Sequence, residues 1–135
     1  MSELTTYVET TKQITVSVSP LFLDEQSVPD DSRYVWAYQV RIQNNSSATV
    51  QLLTRRWRIM DARGRTQEIL GDGVVGEQPI LEPDDFFEYT SGTPLSTPSG
   101  FMSGSFGMIS ETGALFDIVV PAFSLDGPDY KGQVH

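Results

Sequence analysis

The sequence contains no cysteine, and its one histidine is His135. Disulfides, thiolate zinc sites and cysteine nucleophiles are thereby excluded, and a lone imidazole at position 135 cannot build a histidine triad or zinc centre inside a fold. Positive charge is scarce: nine Lys and Arg against 18 Asp and Glu leave a formal net charge of −9. A chain of that sign is repelled by phosphodiester backbones and by anionic membranes. Long apolar runs are missing too. No stretch approaches the roughly 20 apolar residues of a membrane span, and MSELTTYVETTKQITV is not a basic segment followed by an apolar leader. These absences predict a soluble cytoplasmic protein with no nucleic-acid partner, no membrane insertion, no cofactor and no metal. With no thiol and no structural metal, stability is expected to be indifferent to reductants and chelators.

A sustained 3.6-residue apolar period is also lacking, so helix content close to nil is expected. Alternation of period two takes its place. Ile14, Val16 and Val18 share one face of a first strand that Pro20 is expected to close, and Tyr34, Trp36, Tyr38, Val40 and Ile42 share the core face of the clearest one. After the Asn44–Ser47 turn, Val50 and Leu52 are out of phase with Trp57 and Ile59. That one-residue flip predicts a β-bulge between Leu52 and Leu53. Asp61-Ala62-Arg63-Gly64 reads as a hairpin turn, Thr66–Leu70 as a short strand, and Glu82-Pro83-Asp84-Asp85 as a turn into a strand at Phe86–Thr90. SGTPLSTPSG reads as a loop, Phe101–Ile109 as a glycine-rich strand, and Leu115–Val120 as a last strand ended by Pro121, with Phe123 and Leu125 docking on the sheet. The 135 residues therefore predict one all-β domain, a two-sheet antiparallel β-sandwich of seven to eight strands over residues 12–126. Residues 1–11 are expected to be a flexible segment or an edge extension, and 127–135 a flexible tail.

The scarce positive charge is concentrated in one place. Five of the nine basic residues, Arg55, Arg56, Arg58, Arg63 and Arg65, lie within eleven positions, next to Gly71-Asp72-Gly73-Val74-Val75-Gly76. This is where an anionic partner would be drawn in. The glycines match G-x-G-x-x-G, but Glu77-Gln78-Pro79-Ile80-Leu81-Glu82-Pro83 cannot supply the helix that a dinucleotide fold needs. Two readings stay open: a bend within a β-sheet, or an anion site for phosphate, pyrophosphate or a nucleotide made by Gly71, Gly73 and Gly76 with Arg55 and Arg56. On a strand, Arg56 and Arg58 point away from the Trp57 face toward acidic cross-strand neighbours such as Glu68, whereas Arg55 lies on the Trp57 side and reaches for the sandwich mouth. Glu82, Asp84, Asp85 and Glu88 place four carboxylates in seven positions, with a spacing that matches no EF-hand; an acidic turn is the preferred reading over a hard-cation site.

Several linked motifs in order carry a family resemblance: Arg56-Trp57-x-Ile59-x-Asp61-x-x-Gly64, Gly71-x-Gly73-Val74-Val75-Gly76-Glu77-x-Pro79, Tyr89-x-Ser91-Gly92, Gly100-x-Met102-x-Gly104-x-Phe106-x-Met108, and Gly113-x-x-Phe116-x-Ile118-x-Val120-Pro121-x-Phe123-x-Leu125. Over Thr11–Leu125 the chain resembles the ApaG family. The resemblance implies an immunoglobulin/fibronectin type III-like sandwich and a bacterial cytoplasmic setting. It also implies a genetic association with cobalt and magnesium resistance or efflux, and kinship with a protein-interaction domain of some F-box proteins. It brings no catalytic residues, so a non-enzymatic module for an unidentified protein partner is expected, with self-association left open. Without a membrane span, any part in efflux has to be indirect. The chain departs from the family pattern at Pro83-Asp84, where Pro-Gly is usual, and at Phe106-Gly107, where Tyr-Glu is usual.

Overall fold

A computed structural model describes residues 5–127. Nine strands appear among them: β1 (Tyr7–Thr11), β2 (Ile14–Phe22), β3 (Tyr34–Asn44), β4 (Val50–Asp61), β5 (Thr66–Asp72), β6 (Ile80–Leu81), β7 (Phe86–Leu95), β8 (Ser99–Ser110) and β9 (Leu115–Asp126). The only helical elements described are two 3-10 turns, Asp24–Gln26 and Pro29–Asp31, and no helix among the described residues is long and apolar enough to cross a membrane. The strands form two antiparallel sheets, one in the order β1-β2-β3-β7, the other in the order β5-β4-β8-β9 with β6 beside β4. This is the expected antiparallel sandwich, with nine strands in place of seven or eight.

The alternating residues fill the space between the sheets as their phase predicts. Val16, Val18, Val40 and Ile42 from one sheet meet Leu52, Phe106, Ile118 and Leu125 from the other, all of them buried. The Leu52 flip is a true irregularity: the β4–β8 register shifts between Leu52 and Thr54. It also marks where β4 changes neighbour, pairing with β6 at Val50 and Gln51 and with β5 from Thr54 onward.

Three prolines that the sequence pattern places at strand ends or in a loop each lie within a strand. Pro20 pairs with Tyr38 beyond the end of β1, where the other flank of β2 is a sheet edge. Pro94 lies on β7, itself an edge strand, so SGTPLSTPSG is mostly strand and only 96–98 connects. Pro121 falls where two residues of β9 oppose one of β8, between the pairs Met102↔Phe123 and Gly104↔Val120. A missing N–H is tolerated at edges and bulges, so proline does not break a strand there. The β9 bulge also moves the buried set from Phe116, Ile118 and Val120 to Phe123 and Leu125 without leaving the sheet.

Of the two readings of 1–11, flexible segment and edge extension, residues 7–11 follow the second. Residues 7–11 form β1, in register with β2 from Tyr7↔Val18 to Thr11↔Ile14. Polar side chains concealed this strand, because an edge strand needs its backbone ladder more than apolar surface. Gly127, expected to begin the flexible tail, is buried and donates its amide to the Pro98 carbonyl at 2.9 Å. Residues 128–135, including His135, lie outside the described residues.

The two long sides of the sandwich differ. At one, β1 and β9 meet: the Val119 amide donates to Thr11 Oγ1 at 3.1 Å, and the Tyr7 and Phe123 rings are 6.2 Å apart. At the other, β5 and β7 do not pair with each other, and the mouth between them is open.

Candidate functional site

The glycine stretch is where β5 leaves the sheet. The Gly73 amide donates to the Leu53 carbonyl at 2.8 Å, and Val74 and Glu77 exchange amide and carbonyl at 2.8 and 2.9 Å around Val75 and Gly76. Val75 and Gly76 both have positive φ, 44° and 81°, as a tight two-residue reversal of mirror-image type requires. Gly73 has φ 65°, and a Cβ there would run into the Glu77 carbonyl oxygen. Gly71 is needed for another reason: a Cβ on it would stand 2.7 Å from Arg55 Cζ, because the guanidinium lies across that position.

This geometry reverses the roles that an anion nest would need. Arg55 Nη1 donates to the carbonyls of Asp72 and Gly73, both at 2.9 Å. The loop therefore offers oxygens to the cation, and its Gly73, Val74 and Glu77 amides are already donated within the protein. Arg55 and Arg56 also lie on opposite faces of β4, as period two dictates. Arg55 lines the mouth between the sheets, whereas Arg56 is exposed on the outer face. The structure thus brings Arg55 to Gly71, Gly73 and Gly76 and leaves Arg56 out of the mouth, although Arg56 borders an outer-face depression together with Arg55 and Gly71.

The mouth is a cavity of about 290 Å³. Its polar lining is Arg55, Tyr38, Tyr89, Ser91 and Thr93, and Trp57 lies in its apolar wall. Burial pushes the Tyr38 phenol above its ordinary pKa, against the opposing effects of the Ser91 hydroxyl and the Arg55 charge. Burial pushes Tyr89 up much further, with Tyr38 adding to the shift and Arg55 opposing it. Both phenols stay protonated donors at neutral pH. Sequence reasoning missed this site because Tyr38 and Tyr89 sit at core-phase positions and read as packing residues.

Two of the four carboxylates around the β6–β7 turn have partners within the protein. Asp85 Oδ2 accepts the Glu82 amide at 2.9 Å, and Glu88 pairs with Arg41 at 3.0 Å. Among the described residues no group of three or more His, Asp or Glu is placed to hold a metal ion.

The outer faces of the two sheets differ in kind. On the four-stranded sheet Thr15, Ser17, Ser19, Gln39, Arg41 and Gln43 point outward, with the exposed Val8, Leu21 and Phe86 on the same face. On the other sheet, cross-strand register builds successive rows: Ile80–Gln51–Ile109–Leu115, Asp72–Thr54–Gly107–Asp117, Leu70–Arg56–Ser105–Val119, Glu68–Arg58–Ser103, and Thr66–Met60–Phe101–Ser124. Ile80, Leu70, Val119, Met60, Phe101 and Leu115 are all exposed, Leu115 at 72% and Phe101 at 59%. Ser103, Ser105 and Gly107 are small, so β8 forms the floor of a trough. A depression of about 420 Å³ opens there, beside Arg56, Asp72 and Asp117. Arg58 stands opposite Glu68 in register, yet among the described residues neither Arg56 nor Arg58 makes an ion pair; those present are Arg41–Glu88 and Arg65–Asp61.

By architecture the chain is an antiparallel β-sandwich domain with an open mouth and one apolar outer face. The ApaG domain matches residues 24–110, and the chain belongs to the ApaG family. It is 58% identical over 129 residues to Protein ApaG of Paramagnetospirillum magneticum, covering 96% of this chain and 99% of that one. Protein ApaG of Rhodospirillum centenum is likewise 58% identical, over 94% of this chain and 98% of the relative. Among solved structures, the crystal structure of the putative ApaA protein from Bordetella pertussis superposes with a TM-score of 0.83 at 47% identity. It covers 85% of this chain and 94% of its own.

Proposed function

We propose that this protein is a non-enzymatic interaction module that binds a protein partner on the outer face of the five-stranded sheet. The asymmetry between the two outer faces carries this reading. One face is mostly Ser, Thr and Gln with Val8, Leu21 and Phe86 exposed at separate places on it, while the other collects six exposed large apolar side chains around a trough with Arg56 and Arg58, neither of them in an ion pair among the described residues. Clustered exposed apolar surface on a soluble domain marks an interaction site. A partner with aliphatic or aromatic side chains for the trough and carboxylates for Arg56 and Arg58 fits its chemistry, and the arginines would also speed encounter within an otherwise acidic chain. Any contribution to cobalt or magnesium resistance would pass through that partner in the cytoplasm, since no metal-ligand group is assembled among the described residues.

The test is site-directed photocrosslinking in cells, with the crosslinker at Phe101 or Leu115 on the proposed face and at Ser17 on the polar one. A discrete adduct is expected from positions 101 and 115 and not from 17. It should fall at least about fivefold when Arg56→Glu and Arg58→Glu are combined, because two charge-assisted contacts are reversed. Equal capture from both faces, or none from 101 and 115, would sink the reading.

A further inference from the structure

The mouth between the sheets is a different pocket from the outer-face depression, although Arg55 borders both, and the inference drawn from it does not rest on a partner bound on that face. Tyr89 is 9% exposed, and its Oη is buried without any hydrogen-bond partner, the one such side-chain atom among the described residues. Buried hydroxyls are nearly always satisfied, so an orphan shut off from water on a residue that lines a cavity asks for a group the protein itself does not supply. Among the described residues Arg55 is the only charged one lining that cavity. Its Nη1 is held by two backbone carbonyls, which fixes the guanidinium plane and leaves Nε and Nη2 to donate. With the Tyr38 and Ser91 hydroxyls, the polar groups converging on the mouth are mostly donors, and no carboxylate is among them.

The remaining wall is apolar, from Trp57, Ile59, Ile69 and Met102. Over it lies the Val74–Glu77 reversal, in which Val75 has φ 44°. A β-branched residue in that region is strained, and such strain gathers at clamps and covers over binding sites. Val75 is itself exposed, so its backbone is set by the two-residue reversal and not by packing of its side chain.

We infer that the cleft between β5 and β7 binds a small organic oxyanion, its head hydrogen-bonded by Tyr89 Oη and the free edge of Arg55 and its apolar body against Trp57 and Met102, with the Val74–Glu77 turn as a cover that shifts to admit it. The cavity stands at the lower end of the range for small-molecule sites, roughly 300–1,000 Å³, which limits the occupant to one ring or a short chain. The site differs from a glycine-nest phosphate site: its donors are side chains, and it faces the core side of the loop.

Phenyl phosphate is the probe, with inorganic phosphate as head alone and phenol as body alone, titrated into the full chain and followed by amide shifts. Saturable binding tighter than about 1 mM is expected for phenyl phosphate, with each half at least about tenfold weaker. Shifts should centre on Val74–Glu77, Ser91 and Thr93. Tyr89→Phe keeps the ring and removes only the orphan hydroxyl, so it should raise or preserve the melting temperature while weakening phenyl phosphate at least about fivefold. Arg55→Gln should weaken it as well. Three outcomes would overturn the inference: no saturable local shift at about 10 mM probe, unchanged affinity in folded Tyr89→Phe, or inorganic phosphate binding as tightly as phenyl phosphate.

Discussion

Trp57 and Tyr38, which come from different sheets, meet edge to face across the core with ring centroids 5.4 Å apart and planes at 65°. Phe106 and Phe123 complete the cluster around the indole at 6.0 and 6.2 Å. Edge-to-face pairs add to area burial, and an indole enclosed on these sides cannot be removed without leaving a void. Trp57→Ala is expected to cost about 3–5 kcal/mol in a urea titration. Trp36→Ala should cost about as much, since that ring is buried against Phe22 and its Nε1 donates to the Asp126 carbonyl at 3.0 Å. A wild-type denaturant midpoint for either variant would show that the ring is not enclosed as described.

Gly71 and Gly73 should respond differently to the same substitution. In Gly71→Ala the new Cβ meets the far end of a flexible side chain, which can swing away and lose its bonds to the Asp72 and Gly73 carbonyls. A cost of about 1–2 kcal/mol is expected, and it should largely vanish in an Arg55→Ala background. Gly73→Ala must fit a positive φ and a backbone carbonyl that cannot move aside, so it should cost more and in either background. Equal and additive costs for the two would refute the Arg55 packing.

Asp84 has φ 73° in the turn before β7. Glycine carries no steric penalty there, although its greater freedom in the unfolded chain offsets part of the gain. Asp84→Gly should be neutral to about 1 kcal/mol stabilising, seen as a melting temperature raised by up to a few degrees. A marked drop would mean that the carboxylate has a role in the turn.

Stability should fall at both ends of the pH scale, through different groups. At Asp61 burial favours the neutral acid, but the Arg65 and Arg63 amides and the Arg65 guanidinium outweigh it and hold the carboxyl below its ordinary pKa. The folded pKa is the lower one, so the stabilisation is fully present above about pH 4 and is lost as pH falls from there through the folded value. Asp61→Asn should flatten the acid limb. Tyr38 and Tyr89 have folded pKa values above the unfolded one, so their contribution is intact below about pH 10 and is lost as pH rises beyond it. Tyr89→Phe should flatten the alkaline limb. Melting temperatures across both ranges decide each case, and slopes identical to wild type would be the contrary result.

Most of the architecture could be read from the chain because alternation is a strong signal in long strands. Tyr34 to Ile42 and the Leu52 phase flip predicted a core face and a bulge that the structure contains. Pro20, Pro94 and Pro121 misled because proline breaks a strand only where its N–H is needed, and whether a flank is an edge or a bulge depends on neighbours far away in sequence. The site was less legible for the same reason. Arg55 was placed at the mouth by its phase, but nothing local to it tells that its guanidinium would hold loop carbonyls. Tyr38 and Tyr89 have the same alternating signature as Val40 and Ile42, and only the third dimension shows one phenol left unsatisfied.

The seam between β1 and β9 has a consequence for how the chain is made. The strand that closes this side is the last among the described residues, and it delivers Ile118, Val120, Phe123 and Leu125 to an interior that β2 and β3 have already lined. During synthesis, which proceeds from the first strand at a few to some twenty residues per second, β9 emerges after the other eight described strands, so the inner side of β1 and β2 at this seam stays uncovered until then. The domain cannot shut until β9 is free of the ribosome. Nascent chains arrested before β9 should therefore be protease-sensitive throughout, and protection should appear in one step once it is released.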